Sequence, residues 1–94
     1  MKKLFYRVQK GDTLKRISLK FSVPEQKLIM DNALSQEVLE GDILYVEKLD
    51  LKTYLVRPLD TIDVISKKFG VDKEKILSVN EIDYVYMGQV IYLP

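Results

Sequence analysis

Residues 4–8 and 53–56 alternate with a period of two and are rich in β-formers, so each stretch reads as a strand. Behind each follows a single apolar stripe at helical spacing: Leu14, Ile17 and Phe21 in one case, Ile62, Ile65 and Phe69 in the other. Asp12-Thr13 and Asp60-Thr61 stand immediately before these stripes. Either side chain can accept a hydrogen bond from a free N–H of a first helical turn, so both pairs mark helix starts. Second starts lie at Pro24, which suits a first turn, and at Asp72, a good N-cap. Leu28, Ile29 and Asn32 then fall on a second helix, as do Ile76, Leu77 and Asn80. Gly41 and Gly88 mark turns, and residues 43–46 and 90–93 read as closing strands.

The two halves are copies of one another. With the sequence slid by 48 places, Tyr6 meets Tyr54, Val8 meets Val56, and Asp12-Thr13 meets Asp60-Thr61. Ile17-Ser18, Lys20-Phe21, Val23, Lys27 and Asn32 meet Ile65-Ser66, Lys68-Phe69, Val71, Lys75 and Asn80. After the shared Asn the second copy is one residue shorter, and the register resumes with Gly41 on Gly88, Ile43 on Val90 and Tyr45 on Tyr92. An ordered match of this length is an internal repeat. The predicted class is α+β: two tandem βααβ domains, over 1–48 and 49–94, each a two-stranded antiparallel sheet with two helices on one face. A two-stranded ribbon alone is marginal in water, so the helices must supply the core. Tyr6, Val8, Ile17, Phe21, Val23, Leu28, Ile43 and Tyr45 are expected in the first core. Tyr54, Val56, Ile65, Phe69, Val71, Ile76, Val90 and Tyr92 are expected in the second. The junction Lys48-Leu49-Asp50-Leu51-Lys52 lacks Gly, Ser and Pro, and its leucines predict that the copies touch.

Composition narrows the function. Hydrophobic residues at 47% and charged residues at 31% give a soluble globular balance without a disorder signature. Fifteen Lys and Arg against fourteen Asp and Glu leave a net charge of +1, and the cations are scattered, which argues against a nucleic-acid partner. The absence of Cys removes disulfides, thiol nucleophiles and Cys-ligated zinc, and the absence of His removes the commonest general base and metal ligand. Asp60 and Asp63 lack a third ligand at readable spacing. A glycosidase needs two carboxylates flanking a cleft, which a unit this small rarely encloses. No catalytic residue, metal or cofactor is expected. At the N-terminus Met1-Lys2-Lys3 could open a signal peptide, but Arg7, Gln9, Lys10 and Asp12 interrupt any apolar stretch of sufficient length. No stretch approaches the ~20 apolar residues of a membrane span. The expectation is a chain without a usual secretion signal, made in the cytoplasm and not inserted in a membrane.

Tyr6-x-Val8-x-x-Gly11-Asp12-Thr13-Leu14-x-x-Ile17-Ser18-x-x-Phe21-x-Val23, then residues 28–32, then Gly41-Asp42-x-Leu44-x-Val46, resembles the LysM domain. Tyr54-x-Val56-x-x-Leu59-Asp60-Thr61-Ile62-x-x-Ile65-Ser66-x-x-Phe69-Gly70-Val71, then Asn80 and residues 88–94, repeats the pattern. The resemblance implies non-catalytic binding of N-acetylglucosamine polymers, chiefly peptidoglycan and also chitin. It places the sugar groove between two loops. In the first copy these carry Gly11, Asp12, Thr13 and Leu14, and then Ala33, Leu34, Ser35, Gln36 and Val38. In the second they carry Leu59, Asp60, Thr61 and Ile62, and then Glu81, Ile82, Asp83, Tyr84 and Val85. Backbone groups would pair with the N-acetyl amide, and apolar side chains such as Leu34 or Val38 would cover its methyl. The second copy departs from the pattern: Pro58-Leu59 replaces Lys10-Gly11, and the loop after Asn80 is shorter, so its site is the weaker candidate.

Several residues carry two readings. Asp12 and Asp60 are either ligand contacts or helix caps. Asn32 and Asn80, at the ends of the second helices, read as C-caps or loop braces. Tyr84 and Tyr86 have no aromatic counterpart in the first copy and are candidates for a stacking surface, whereas Tyr92 matches Tyr45 and reads as structural. Function likewise has an alternative. A LysM chain without a signal is similar to proteins of spore-coat and contractile phage-tail assembly, which would make this a structural module with a protein partner.

Overall fold

The structure is a computed structural model that describes residues 2–94; Met1, included in the expected 1–48 domain, lies outside them. Each copy is a βααβ unit, as the pattern predicts. In the first, β1 (Lys2–Arg7), α1 (Leu14–Phe21), α2 (Glu25–Asn32) and β2 (Ile43–Lys48) follow in order. In the second, β3 (Lys52–Leu55), α3 (Ile62–Phe69), α4 (Lys73–Asn80) and β4 (Val90–Leu93) do the same. β1 pairs antiparallel with β2, and β3 with β4, as two separate two-stranded sheets.

Each core lies between a ribbon and its helices. The first is built from Val8, Leu14, Ile17, Val23, Leu28, Val38, Leu44 and Val46, with Tyr6 and Phe21 packed against it. The second is built from Val56, Ile65, Ile76, Ile91 and Leu93, with Tyr54, Phe69 and Val71 at its margin. The closing strands correct the expected assignment. Ile43 and Tyr45 point away from the core, Ile43 being 54% exposed, and Leu44 and Val46 point into it. In the second copy Ile91 and Leu93 take the inward positions in place of Val90 and Tyr92. A shift of one residue exchanges the two faces of a strand, and four consecutive apolar residues give no alternation from which to choose.

Helix starts divide their labour differently from the expected capping by Asp12 and Asp60. The caps of α1 and α3 are Thr13 and Thr61, whose hydroxyls accept from Arg16 N and Val64 N. Asp72 caps α4, accepting from Glu74 N, and Pro24 precedes α2. The connection between helices in each copy is closed by a serine: Ser18 Oγ donates to Val23 O, and Ser66 Oγ to Val71 O.

Asn32 and Asn80 brace helix to sheet. The amide of Asn32 donates to Leu28 O and Tyr45 O, and its oxygen accepts from Tyr45 N. Asn80 repeats the set with Ile76 O, Tyr92 O and Tyr92 N. Each side chain thus pairs with the free edge of the closing strand as a neighbouring strand would. The helices themselves end one residue later, at Ala33 and Glu81 in the left-handed conformation.

The copies touch, as the leucines of the junction predict. The Tyr92 hydroxyl accepts from Leu49 N at 3.1 Å, and the Tyr86 hydroxyl donates to Glu25 at 3.2 Å. Gly88 lies under the first copy: a Cβ there would sit 2.8 Å from Lys15 Nζ. The outer face of β4, Val90 and Tyr92, is buried, while on the equivalent face of β2 Ile43 is exposed and Tyr45 half-buried.

Candidate functional site

The loop from β1 to α1 begins with a tight turn. Asp12 N donates to Gln9 O at 3.0 Å, and Gly11 sits at φ +86° in the third position, which suits glycine. The Asp12 carboxylate reaches back to Gln9 N and accepts from the Tyr6 hydroxyl at 2.5 Å. The tyrosine bond and then the backbone bond hold the Asp12 carboxyl below its ordinary range, and the same bond to the carboxylate raises Tyr6. Lys20 stands 4.7 Å over the Tyr6 ring. Asp12 is therefore committed to the turn and to the tyrosine.

The second loop of this copy runs from α2 to β2. The structure draws the two loops together through Glu37, which the sequence reading passed over. One carboxylate oxygen, Oε1, accepts from Leu14 N at 2.8 Å and from Val38 N at 2.9 Å. Leu14 is the first residue of α1, so the carboxylate also faces the positive end of that helix. Nothing in the sequence singles out Glu37 from Glu40 and Asp42 of the same loop. Around this tie Gly11, Ala33, Ser35 and Gln36 are exposed and Thr13 is half-buried. Leu14 and Val38 direct their side chains into the core, and Leu34 packs against it, so the apolar cover expected from Val38 is absent from the surface.

The second copy keeps the turn and loses the tie. Asp60 accepts from Arg57 N and from the Tyr54 hydroxyl, and this pair shifts as Asp12 and Tyr6 do, Asp60 down and Tyr54 up. Leu59 occupies the glycine position at φ +70° with its side chain 97% exposed. Counting back from Gly41 and Gly88 aligns Glu37 with Tyr84. Tyr84 is 69% exposed and lies 6.3 Å from the Tyr86 ring. Ile62, Ile82 and Val85 pack on the core, and Asp83 is exposed. Ile82, Asp83, Tyr84, Tyr86 and Gln89 also line a groove of about 350 Å³ whose other wall is Glu25, Gln26 and Ile29 of the first copy. The second loop of this copy therefore faces its neighbour.

Comparison with known proteins agrees with this architecture. The family model described as LysM domain matches residues 6–46 and again residues 54–94. No curated protein matches the chain. Among solved structures, the spore cortex-lytic enzyme SleL of Bacillus megaterium QM B1551 is similar over 96% of this chain, at 25% identity and a TM-score of 0.50. SleL of Bacillus cereus is similar over 100% of it, at 23% identity and a TM-score of 0.48. The chain spans 22% and 23% of those two proteins respectively.

Proposed function

The chain belongs to the LysM domain family, and on that premise we propose that it is a non-catalytic module binding N-acetylglucosamine polymers, with peptidoglycan of a cell wall or spore as its target. The family match over both copies carries this reading. The likeness to a spore cortex-lytic enzyme supports the cell-wall or spore setting. The proposed site is the first-copy pair of loops, with Gly11, Asp12, Thr13 and Leu14 on one side and Ala33, Leu34, Ser35, Gln36 and Val38 on the other. In this reading the sugar meets loop backbone rather than the buried Leu14 and Val38 side chains, and Glu37 fixes the distance between the loops. Asp60, Thr61, Ile62, Ile82, Asp83 and Tyr84 form the second, weaker candidate. Single shallow sites bind weakly, and two on one polymer gain avidity when geometry lets both engage.

Titration of the labelled protein with short N-acetylglucosamine oligomers, followed by NMR, tests the reading. Shifts confined to residues 11–14 and 33–38 are expected. No shift there at millimolar ligand, together with no retention on insoluble peptidoglycan, would refute it. A second reading, a structural module with a protein partner, is favoured by Leu59 and by the turning of the second copy's loop toward its neighbour. Recovery of a protein partner by a chain that ignores peptidoglycan would select that reading.

A further inference from the structure

The contact between the copies is one-sided, and the repeat shows what is left over. Tyr92, on the outer face of β4, is 1% exposed. Its hydroxyl accepts from Leu49 N, and Lys27, Asp31 and Glu47 of the first copy, an ion-paired cluster whose side chains are only 17–25% exposed, lie near enough to act on it electrostatically. The equivalent outer face of the first copy carries Ile43 and Tyr45 in place of Val90 and Tyr92, and Phe5 and Arg7 in place of Thr53 and Leu55. Among the described residues this face is covered only in part: Phe5 is 75% exposed and Ile43 54% exposed, while Tyr45 is half-buried, its ring 5.6 Å from that of Phe5 and its hydroxyl donating to Glu47. These side chains form an apolar knob.

The covering surface has a counterpart too. Lys27, Asp31 and Glu47 align with Lys75, Val79 and Pro94. Those three, with Glu74 and Ser78, line an open hollow of about 460 Å³ on the second copy. Where the first copy meets Tyr92 with two carboxylates, the hollow offers Val79 and Pro94. It is therefore the more apolar of the two surfaces, and the knob sets the larger Phe5 ring where the second copy has Thr53.

We propose that the Phe5–Ile43–Tyr45 face docks on the Lys75–Val79–Pro94 hollow of a second copy of this chain, repeating between molecules the contact already made within one. Such a contact is heterologous: each molecule offers a knob on its first copy and a hollow on its second, so it propagates head to tail. The proposal is independent of the sugar reading. If both hold, the array multiplies LysM units along a polymer and raises avidity without a tighter single site.

Sedimentation of the purified chain tests it, with circular dichroism checking that each variant folds. The wild type is expected to grow in average mass from micromolar to millimolar concentration. Phe5→Glu places a charge on an exposed strand position, and Val79→Arg places a helix-compatible charge in the hollow. Each alone is expected to weaken self-association at least tenfold. Mixed, they are expected to form a one-to-one dimer and nothing larger, since the intact knob of Val79→Arg meets the intact hollow of Phe5→Glu. A wild type that stays monomeric at millimolar concentration overturns the proposal. So does a Val79→Arg variant that associates like wild type, which would mean knob-to-knob pairing, and so does a mixture that stays monomeric.

Discussion

The two asparagine braces allow one interaction to be measured in two environments. Asn32 and Asn80 make the same three hydrogen bonds, to a helix carbonyl and to both backbone groups of the facing tyrosine. They differ in access to water: Asn80 is 5% exposed and Asn32 half-buried. Replacing either by Ala leaves a strand N–H and C=O without their partner. At Tyr92, itself 1% exposed, water has no route to replace the amide. A stranded buried polar group costs roughly 1–3 kcal/mol, so Asn80→Ala, which strands two, is expected to cost about 2–6 kcal/mol. At Tyr45 water can re-pair the same groups, and only the net worth of the bonds is lost, about 1–2 kcal/mol for Asn32→Ala. Urea unfolding of both variants, read by circular dichroism at equal slope, gives the comparison. Asn80→Asp extends it by aiming a carboxylate at two carbonyl oxygens, and it should be at least as damaging as Asn80→Ala. An Asn32→Ala cost equal to or above that of Asn80→Ala would refute the argument from burial.

Further outcomes follow from the turns and the loop tie. Leu59→Gly should stabilise by about 0.5–1 kcal/mol, since relief of about 1–2 kcal/mol of left-handed strain exceeds the chain entropy glycine adds, and the exposed side chain loses no burial; Gly11→Ala should destabilise, and thermal melts check both. Stability should be level between about pH 5 and 9 and fall outside that window, because no His is present and two Tyr–Asp pairs flank it. On the acid side the depressed Asp12 and Asp60 contribute fully above their unfolded pKa and lose that contribution as pH falls through the folded one; on the basic side the raised Tyr6 and Tyr54 contribute fully below about 10 and lose it above. The double variant Asp12→Asn, Asp60→Asn should flatten the acid limb of pH-dependent denaturation midpoints. Glu37→Ala should speed hydrogen exchange at the Leu14 and Val38 amides and weaken oligosaccharide binding in the first copy, while Tyr84→Ala leaves first-copy shifts unchanged.

Legibility followed the strength of the local signal. The strand–helix–helix–strand order was readable because apolar stripes change period at residues that also carry capping chemistry, and because the repeat supplied each element twice. The inward face of the closing strand was not, since Ile43, Leu44, Tyr45 and Val46 are all apolar and tertiary packing makes the choice. The role of Asp12 stayed open for a different reason. An Asp-Thr pair at a helix start has two acceptors for one capping role, and only the distant Tyr6 hydroxyl shows which is otherwise engaged. Of the candidate site, the two loops could be named from the family pattern, and the tie between them could not. Glu37 lies 23 residues from Leu14, and such a bond has no spacing rule in the sequence.

What separates the copies is less their own folding than the position each holds in the pair. Both preserve the tyrosine–aspartate turn, the threonine cap, the serine closure and the asparagine brace, so the requirements of the fold are met twice. The differences fall where one copy meets the other or meets solvent. Val90 and Tyr92 are buried where Ile43 is exposed and Tyr45 half-buried, and Tyr84 stands in place of Glu37, without its tie, where the loop turns toward Glu25 and Ile29. Once the first copy covers β4, the second copy's outer face no longer needs to be soluble, whereas the first copy's outer face keeps Phe5 and Ile43 exposed. An uncovered apolar face on a monomer is a standing risk of adhesion unless it has a partner. That asymmetry, more than the loops, distinguishes this chain from two independent sugar-binding units, and it is why the self-association experiment and the glycan titration should be read together.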